Sequence, residues 1–409
     1  MDDKEWKEKI KACVKCGTCL PVCPIYRETE REPLSARGKL ALLDALLDQR
    51  FQEDRLFYDL LANCLLCGAC AEQCPGGVKA DALILEGRNR ILNRVGAAGA
   101  RRLLAKEILP FPERMKAIRL GQDWIWRQIP KDRGLLLRLF PAASSLPLLE
   151  KPFFLERSRV LPGPSPSIGG SKSLGLFVGC SINYFHPPVG EAVYRLLSPL
   201  GRIVLPKDQT CCGLPAFTLG DLETARRLAK QNVLAFAEDR TEAVVVPCSS
   251  CAAHILTEYP RLLEKEPDLQ EELVDFLKKT EELSRFLVRE GFTPSPPLDA
   301  SPLRVVFHDP CHGRRKLHIR DEPRRLLLSR TGLSLSERKE QRCCGAGGLF
   351  RLSHPDLSRK IGGRSYQDLE ASDAQVLATS CMACLMQLES LASEQKNGWT
   401  VKHWAELLA

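Results

Sequence analysis

The sequence has few aromatic residues, no long apolar run and no dinucleotide-binding glycine loop. Only 6% of its 409 residues are aromatic, whereas proteins that bind nucleic acid interleave basic residues with aromatic ones. No stretch reaches the roughly 18 to 20 consecutive apolar residues that a membrane-spanning helix needs, and the G-x-G-x-x-G fingerprint is absent. We therefore expect no nucleic-acid partner, no nucleotide site and no membrane span in this chain.

The first residues, up to Cys13, contain no apolar segment of the kind that directs secretion. This predicts a cytoplasmic protein in a reducing compartment. The 18 cysteines then need an explanation other than disulfides, because a chain of this length can bury a core of its own. The net charge of +8 is spread over helical segments, and it is suited to offsetting anionic metal sites.

Composition and repetition divide the chain into four regions, and the predicted fold class is multidomain. We expect an α-helical, ferredoxin-like module first, then a helical connector with a Pro/Ser-rich linker, and finally two repeated α/β cysteine-rich domains. The connector contains short basic segments, which are candidates for docking onto a partner or a membrane surface or for packing on the chain's own domains. The predicted boundaries are 1–95, 96–173, 174–298 and 299–409.

Each repeat alternates apolar strands with amphipathic helices, which predicts a mostly parallel sheet. In both copies a strand ends at a cysteine, a Cys-Cys-Gly sequence follows, and a later strand ends in a C-x-x-C pair. Open α/β sheets place their sites where parallel strands end. The cysteines of each repeat are therefore expected to lie together.

The first region contains the pattern C-x2-C-x2-C-x3-C-P twice, which is typical of paired [4Fe-4S] clusters. Three thiolates of each run surround one cluster and the fourth reaches the other cluster, while Gly17 and Gly68 let the backbone approach closely. Zinc is the alternative metal, although zinc sites more often pair two C-x-x-C knuckles. The predicted ligands are Cys13, Cys16, Cys19 and Cys74 for cluster 1, and Cys64, Cys67, Cys70 and Cys23 for cluster 2.

The two repeats contribute the other ten cysteines, five in each. We predict one further iron–sulfur cluster in each domain, with zinc, disulfides or free thiols as the alternatives. The candidate ligands are Cys180, Cys211, Cys212, Cys248 and Cys251 for a third cluster, and Cys311, Cys343, Cys344, Cys381 and Cys384 for a fourth.

This layout resembles the glycolate oxidase iron–sulfur subunit family over nearly the full chain, and the repeated C…CCG…C-x-x-C pattern is shared with heterodisulfide reductases and anaerobic glycerol-3-phosphate dehydrogenase subunits. The resemblance implies an oxidoreductase subunit that relays single electrons from an FAD-containing 2-hydroxyacid dehydrogenase subunit toward quinone or another acceptor. It also implies peripheral association with the inner face of the membrane. No catalytic residue is predicted on this chain.

One feature of the resemblance leaves alternatives open. Both C-x-x-C pairs are complete here, as in the heterodisulfide reductase domain, where five cysteines hold a non-cubane cluster. A disulfide-reducing subunit and a glycerol-3-phosphate dehydrogenase subunit therefore remain alternatives. Since clusters accept one electron at a time while alcohol oxidation removes a hydride, a flavin must lie on another chain.

Overall fold

A computed structural model describes most of the chain as two parallel α/β domains with a helical module beside them. No helix within the described residues is long and apolar enough to cross a membrane. The described residues are 2–96, 99–128, 149–158, 172–239, 241–294, 303–338, 340–370, 372–395 and 399–409.

The N-terminal module consists of helices separated by the two cysteine runs. Side chains of Asp2, Ser35 and Asp54 cap three of these helices by accepting a backbone N–H, which satisfies donors that a helix start leaves free. Its core includes the fully buried Leu43 and Tyr58. The helices are α1 Asp3–Lys11, α2 Pro24–Thr29, α3 Ala36–Leu47, α4 Arg55–Ala62, α5 Ala69–Glu72 and α6 Ala80–Val95, with a 3-10 turn at Glu32–Leu34.

The connector begins with helical segments that pack on the first α/β domain. Within them, Arg102 donates from Nε to Asp221 at 2.9 Å, and Thr210 Oγ1 donates to the Pro110 carbonyl at 2.8 Å. Residues 129–148 of the predicted helical connector, among them the basic apolar segment 134–140, lie outside the described residues. The segments are α7 Gly99–Leu103, a π-helical turn at Leu104–Ile108 and α8 Pro112–Gln128.

The region expected to be a structureless linker contains a buried anchor. Helix α9, Phe154–Arg157, lies within it, and both Phe153 and Phe154 are at most 1% exposed. Phe154 belongs to the core of the α/β domains and packs directly on Gly190. The linker interpretation was therefore wrong for 149–158. The segment has no apolar periodicity, but its two adjacent aromatic residues are enough to bury it against the domain.

We expect Phe154→Ala to destabilise the first α/β domain by about 3 to 5 kcal/mol, the usual cost of emptying a buried Phe site. Denaturant unfolding of the full chain would measure this. Leu155→Ala, which truncates the partly exposed neighbour, should cost much less. Equal effects of the two changes would show that the segment does not anchor the domain through Phe154.

The first α/β domain is built on a four-stranded parallel sheet of order β2-β1-β3-β4. Its strands are β1 Ser173–Leu176, β2 Arg202–Val204, β3 Ala243–Val246 and β4 Thr280–Glu282. Its helices are α10 Gly179–Tyr184, α11 Pro187–Leu197, α12 Leu214–Leu219, α13 Leu222–Glu238, α14 Ser249–Leu262, α15 Gln270–Lys279 and α16 Leu283–Arg289, with a 3-10 turn at Pro267–Leu269.

The second domain repeats this sheet as β6-β5-β7-β8, also fully parallel. The inner strands are those expected from the sequence, and the prediction of parallel sheets is confirmed. The strands are β5 Leu303–His308, β6 Leu333–Ser336, β7 Val376–Thr379 and β8 Thr400–His403. The helices are α17 Cys311–Lys316, α18 Asp321–Ser329, α19 Phe350–Ser353, α20 Pro355–Glu370 and α21 Met382–Gln395, with a 3-10 turn at Trp404–Leu407.

Candidate metal centres

The thiols of the second N-terminal run line one cavity together with a cysteine of the first run. Pro24 at the start of α2 and Gly68 at the start of α5, the latter with φ +74°, turn the chain around this cavity. Burial raises the pKa of both Cys67 and Cys70, so these thiols need a positive partner such as a metal to ionise. The four cysteines on the cavity wall are Cys23, Cys64, Cys67 and Cys70.

The first run is more open to solvent. Cys16 is exposed, whereas Cys13, Cys19 and Cys74 are partly buried. Gly17 has φ +89° and lies against the guanidinium of Arg37. A hydrogen bond with the Thr18 hydroxyl lowers the pKa of Cys16, whereas burial raises that of Cys19. The two runs therefore differ most at their second cysteine, which is exposed in the first run (Cys16) and buried in the second (Cys67).

Two buried cations adjoin the cavity of the second run. Lys39 is 1% exposed, lines the cavity wall and donates to the Leu34 carbonyl. Arg88 is 3% exposed and donates to the carbonyls of Leu61 and Cys64. Among the described residues neither cation has a carboxylate ion-pair partner. Since a buried charge is costly without a counter-charge, both cations fit a site that carries negative charge.

In the first α/β domain the five predicted cysteines come together at the ends of β1 and β3. The Cys211 thiol lies 3.5 Å from Cys180 Sγ. Cys212 contacts both Cys211 and Cys251, and hydrogen bonds from these two thiols lower the pKa of Cys212 to about 6. Cys251 in turn contacts Cys248. This domain therefore offers a continuous row of five thiols.

The Cys-Cys-Gly loop of this domain is held by two fully buried side chains. Asn232 accepts from Thr210 N at 2.8 Å and donates to the Cys211 carbonyl at 3.1 Å. The Tyr259 hydroxyl donates to the Cys212 carbonyl at 3.0 Å. Sequence reasoning missed both residues, because an Asn and a Tyr in amphipathic helices carry no local signal of such a role.

We expect Asn232→Leu to lower iron content in the first α/β domain and to destabilise the protein by about 2 to 4 kcal/mol, since buried backbone groups lose their partners. Iron analysis and denaturant unfolding would measure the two effects. Gln231→Leu is the matched control, because the neighbouring Gln231 amide contacts only the Asp208 carbonyl near the surface. Normal iron binding by Asn232→Leu would contradict the assigned positioning role.

The second α/β domain gathers its five cysteines in the same way. Cys344 Sγ lies 3.1 Å from Cys384 Sγ, and Cys311 contacts Cys343. Hydrogen bonds from Cys343 and Cys384 lower the pKa of Cys344 to about 6. His308, buried and bonded to Arg338 at 2.9 Å, completes a group with Cys344 and Cys384 that could hold a metal ion. The second site thus repeats the first, with a histidine added.

The two thiol rows meet where the C-x-x-C loops of the domains pack on each other. Cys248 contacts Cys381 directly, and the Ser250 hydroxyl lies 2.9 Å from Cys381 Sγ. Ser249 N donates to the Ser380 carbonyl at 2.9 Å across the same junction. The sequence indicated two separate sites, whereas the structure joins them into one row of ten cysteines.

Helix α17 connects this row to the N-terminal module. Cys311 is close enough to Cys67 to raise its pKa further, although burial is the larger cause. His312 Nε2 lies 3.3 Å from the Leu66 carbonyl, and Arg315 donates from Nε to Glu72 at 2.8 Å. Cys67 also shares a cavity of about 60 Å³ with Cys343 of the second domain. The buried N-terminal thiols therefore adjoin the second α/β domain.

These groups fit thiolate-ligated metal clusters. All 18 cysteines are free, and the buried ones converge on cavities that also contain cations without carboxylate partners. Sulfur-rich donor sets of this kind select iron–sulfur clusters or zinc. The ligand assignment made from the cysteine spacing stays a proposal. Taken together, the fold and the thiol groups define a multidomain protein built around thiolate-ligated metal centres.

Comparison with known families supports this class. The 4Fe-4S dicluster domain matches residues 9–78, and the CCG cysteine-rich domain matches 174–256 and 305–389. The two N-terminal cysteine runs thus match one known domain family, and the two repeats match another. Their order along the chain is the one expected from the sequence.

Two of the relatives span nearly the whole chain. The probable glycolate oxidase iron–sulfur subunit of Bacillus subtilis is 32% identical over 94% of this chain and 90% of its own length. The Escherichia coli glycolate oxidase iron–sulfur subunit is 26% identical over 98% and 93%. Lactate utilization protein A 2 of Bacillus cereus is 32% identical over 58% of this chain and 97% of its own. The chain belongs to the glycolate oxidase iron–sulfur subunit family.

Proposed function

We propose that this chain is the electron-transfer subunit of a flavin-dependent 2-hydroxyacid dehydrogenase of the glycolate or lactate type. The observation that carries the proposal is the adjoining arrangement of its thiol groups. They extend from the exposed Cys16, past the buried cavity with Cys67, to the row that joins both α/β domains at Cys248 and Cys381. A line of adjoining metal sites suits a relay of single electrons.

The proposed cofactors are two [4Fe-4S] clusters in the N-terminal module and one further iron–sulfur cluster in each α/β domain. When bound, such clusters exchange one electron at a time with their neighbours. The chain's own part is to hold the thiolates, to exclude water around Cys67 and to supply the positive charge of Lys39 and Arg88. FAD is assigned to a partner subunit, with quinone or another carrier as the acceptor.

Anaerobic co-purification of the native complex tests this function. We expect a brown preparation that contains a flavoprotein and in which a 2-hydroxyacid, glycolate or lactate, bleaches the iron–sulfur absorbance. If glycerol 3-phosphate bleaches the iron–sulfur absorbance instead, the chain belongs to an anaerobic glycerol-3-phosphate dehydrogenase. A colourless preparation with stoichiometric zinc would reject the electron-transfer role.

A second candidate function is disulfide reduction at the junction of the α/β domains. It is favoured by the complete C-x-x-C pairs and by the contact between Cys248 and Cys381. Electron paramagnetic resonance (EPR) of the oxygen-free protein distinguishes the two functions. A new thiol-bound signal that appears only after a disulfide substrate is added would favour this candidate over the relay.

Peripheral association with a membrane is a further part of the proposal. In the described part of the connector, Ile118 and Leu120 are exposed apolar side chains, which suit the apolar boundary of a lipid surface. The pairing of Arg102 with Asp221 ties the start of the connector to the first α/β domain, so the membrane-facing part would begin after this point. Flotation of the complex with anionic vesicles tests the association.

A further inference from the structure

The two cysteine runs of the N-terminal module carry the same loop in opposite environments. Val14, Lys15 and Cys16 of the first run correspond in the C-x2-C-x2-C pattern to Leu65, Leu66 and Cys67 of the second. Val14 is 76% exposed, whereas Leu65 is 5% exposed. Cys16 is exposed and Cys67 is buried.

The backbone of the two loops is alike despite this difference. Lys15 and Leu66 both have left-handed φ angles, +58° and +50°, and the following Gly17 and Gly68 do so as well, with +89° and +74°. A non-glycine residue in this region is uncommon and needs support from its surroundings. The two loops therefore have similar backbone shapes. Leu65 and Cys67 are buried, whereas Val14 and Cys16 are exposed beside Arg37, which donates to the Lys15 carbonyl at 3.0 Å.

The covered loop shows what such a shape packs against. Leu65 lies directly on Gly347 of the second α/β domain. The Leu66 carbonyl is 3.3 Å from His312 Nε2, and the Cys67 carbonyl accepts from Arg315 Nη1 at 3.4 Å. This contact places Cys67 near Cys311, so the loop docks one group of thiols onto another redox-site domain.

From this comparison we propose that the Val14–Cys16 loop is the docking face for the flavoprotein subunit, an inference that rests on the proposed function. The loop corresponds to the loop at Leu65, Leu66 and Cys67, which already packs the N-terminal thiols against those of the second α/β domain. Its exposed Lys15, and Lys79 on the neighbouring loop, have no ion-pair partner among the described residues. The partner should therefore present an apolar pocket for Val14 with acidic residues around it, and its flavin should approach Cys16.

A large apolar residue elsewhere on the module provides a matched control. Leu56, at the start of α4, is 77% exposed, nearly the same as Val14, and lies outside both cysteine runs. A charge placed at Leu56 changes solubility and surface charge as a charge at Val14 does. It differs in lying on a helix, outside the loop proposed as the docking face.

The test compares Val14→Asp, Lys15→Glu and Leu56→Asp in the full chain with its clusters, bound to the flavoprotein that co-purifies with the wild type. We expect Val14→Asp and Lys15→Glu to raise the dissociation constant at least tenfold, and Leu56→Asp to leave it unchanged. The Lys15→Glu effect should shrink at high salt, because exposed charges are screened. Dithionite, which needs no docking face, should reduce the clusters of all three variants equally.

Several outcomes would overturn the proposal. The proposal is wrong if both loop variants bind the flavoprotein with wild-type affinity. It is also wrong if Leu56→Asp loses as much affinity as the loop variants. A change in the oligomeric state of the loop variants, with unchanged flavoprotein binding, would assign the loop to contacts between copies of this chain. If Val14→Asp loses an N-terminal EPR signal, the binding of Lys15→Glu and Lys15→Gln is used to judge the docking face instead. These two variants alter only the exposed Lys15 side chain, and the second removes its charge without reversing it. A flavoprotein that oxidises no 2-hydroxyacid would reject the proposed function, while the binding comparison would still test the docking face.

Discussion

Replacing Cys70 with Ala is expected to stop electron flow through the chain, with at least a ~100-fold fall in the rate from flavoprotein to acceptor. Cys70 lines the cavity with Cys23, Cys64 and Cys67, and this group lies between the exposed first run and the second α/β domain. Loss of one thiolate should remove one of the two N-terminal [4Fe-4S] signals. EPR and stopped-flow absorbance would measure the signal and the rate.

Cys19→Ser serves as the companion to this change. It should remove the other N-terminal signal and leave the centres of the α/β domains in place. Loss of every centre in either variant would contradict the division into independently assembled sites. Full turnover in Cys70→Ala despite the lost signal would show that the buried N-terminal group lies off the route.

The second large effect is expected at Lys39. Replacing this lysine with Met should lower the reduction potential of the cluster proposed at Cys64, Cys67 and Cys70 by about 60 mV or more. A charge several ångströms away contributes about 2 kcal/mol at an effective dielectric constant of about 20, and a tenfold change in a one-electron equilibrium is about 59 mV. The sign follows from chemistry, because reduction adds negative charge that the buried ammonium stabilises. An EPR-monitored redox titration would measure it.

Two variants separate this charge effect from a packing defect. Lys39→Arg keeps the positive charge and should retain most of the potential, whereas Lys7→Met removes a surface lysine that is paired with Asp48 and should change nothing. Asp81 also lines the cavity and acts in the opposite direction, so Asp81→Asn should raise the potential. An unchanged potential in a fully assembled Lys39→Met protein would rule out the charge effect.

Local features of the sequence were sufficient to predict much of the fold. The alternation of apolar strands and amphipathic helices predicted the inner strands β1, β3, β5 and β7 and their parallel order. The edge strands β2, β4, β6 and β8 were missed, because they are three or four residues long and each contains at most two apolar residues. Such strands form mainly because a neighbouring strand offers hydrogen bonds, and a short segment carries no period from which this can be foreseen.

Cysteine spacing predicted that the five thiols of each repeat lie together, but not how the groups meet, and its ligand assignment stays a prediction. The contact between Cys248 and Cys381 joins residues of different domains, and that of Cys67 with Cys311 joins a different pair of modules. Neither contact depends on residues close in sequence. The basic connector shows the same limit, since its Arg102 has a buried partner, Asp221, more than a hundred positions away.

The sequence by itself was sufficient to predict an iron–sulfur protein and the repeat of the α/β domains, because thiol spacing and apolar periodicity are local properties, while the flavin on another chain stays a prediction. Only the tertiary structure decided that the two α/β sites form one row, that Lys39 and Arg88 face a thiol cavity, and that Cys16 is open where Cys67 is covered. These features depend on which surfaces the domains bury against each other. That choice is set by the packing of side chains distant in sequence, and no local pattern records it.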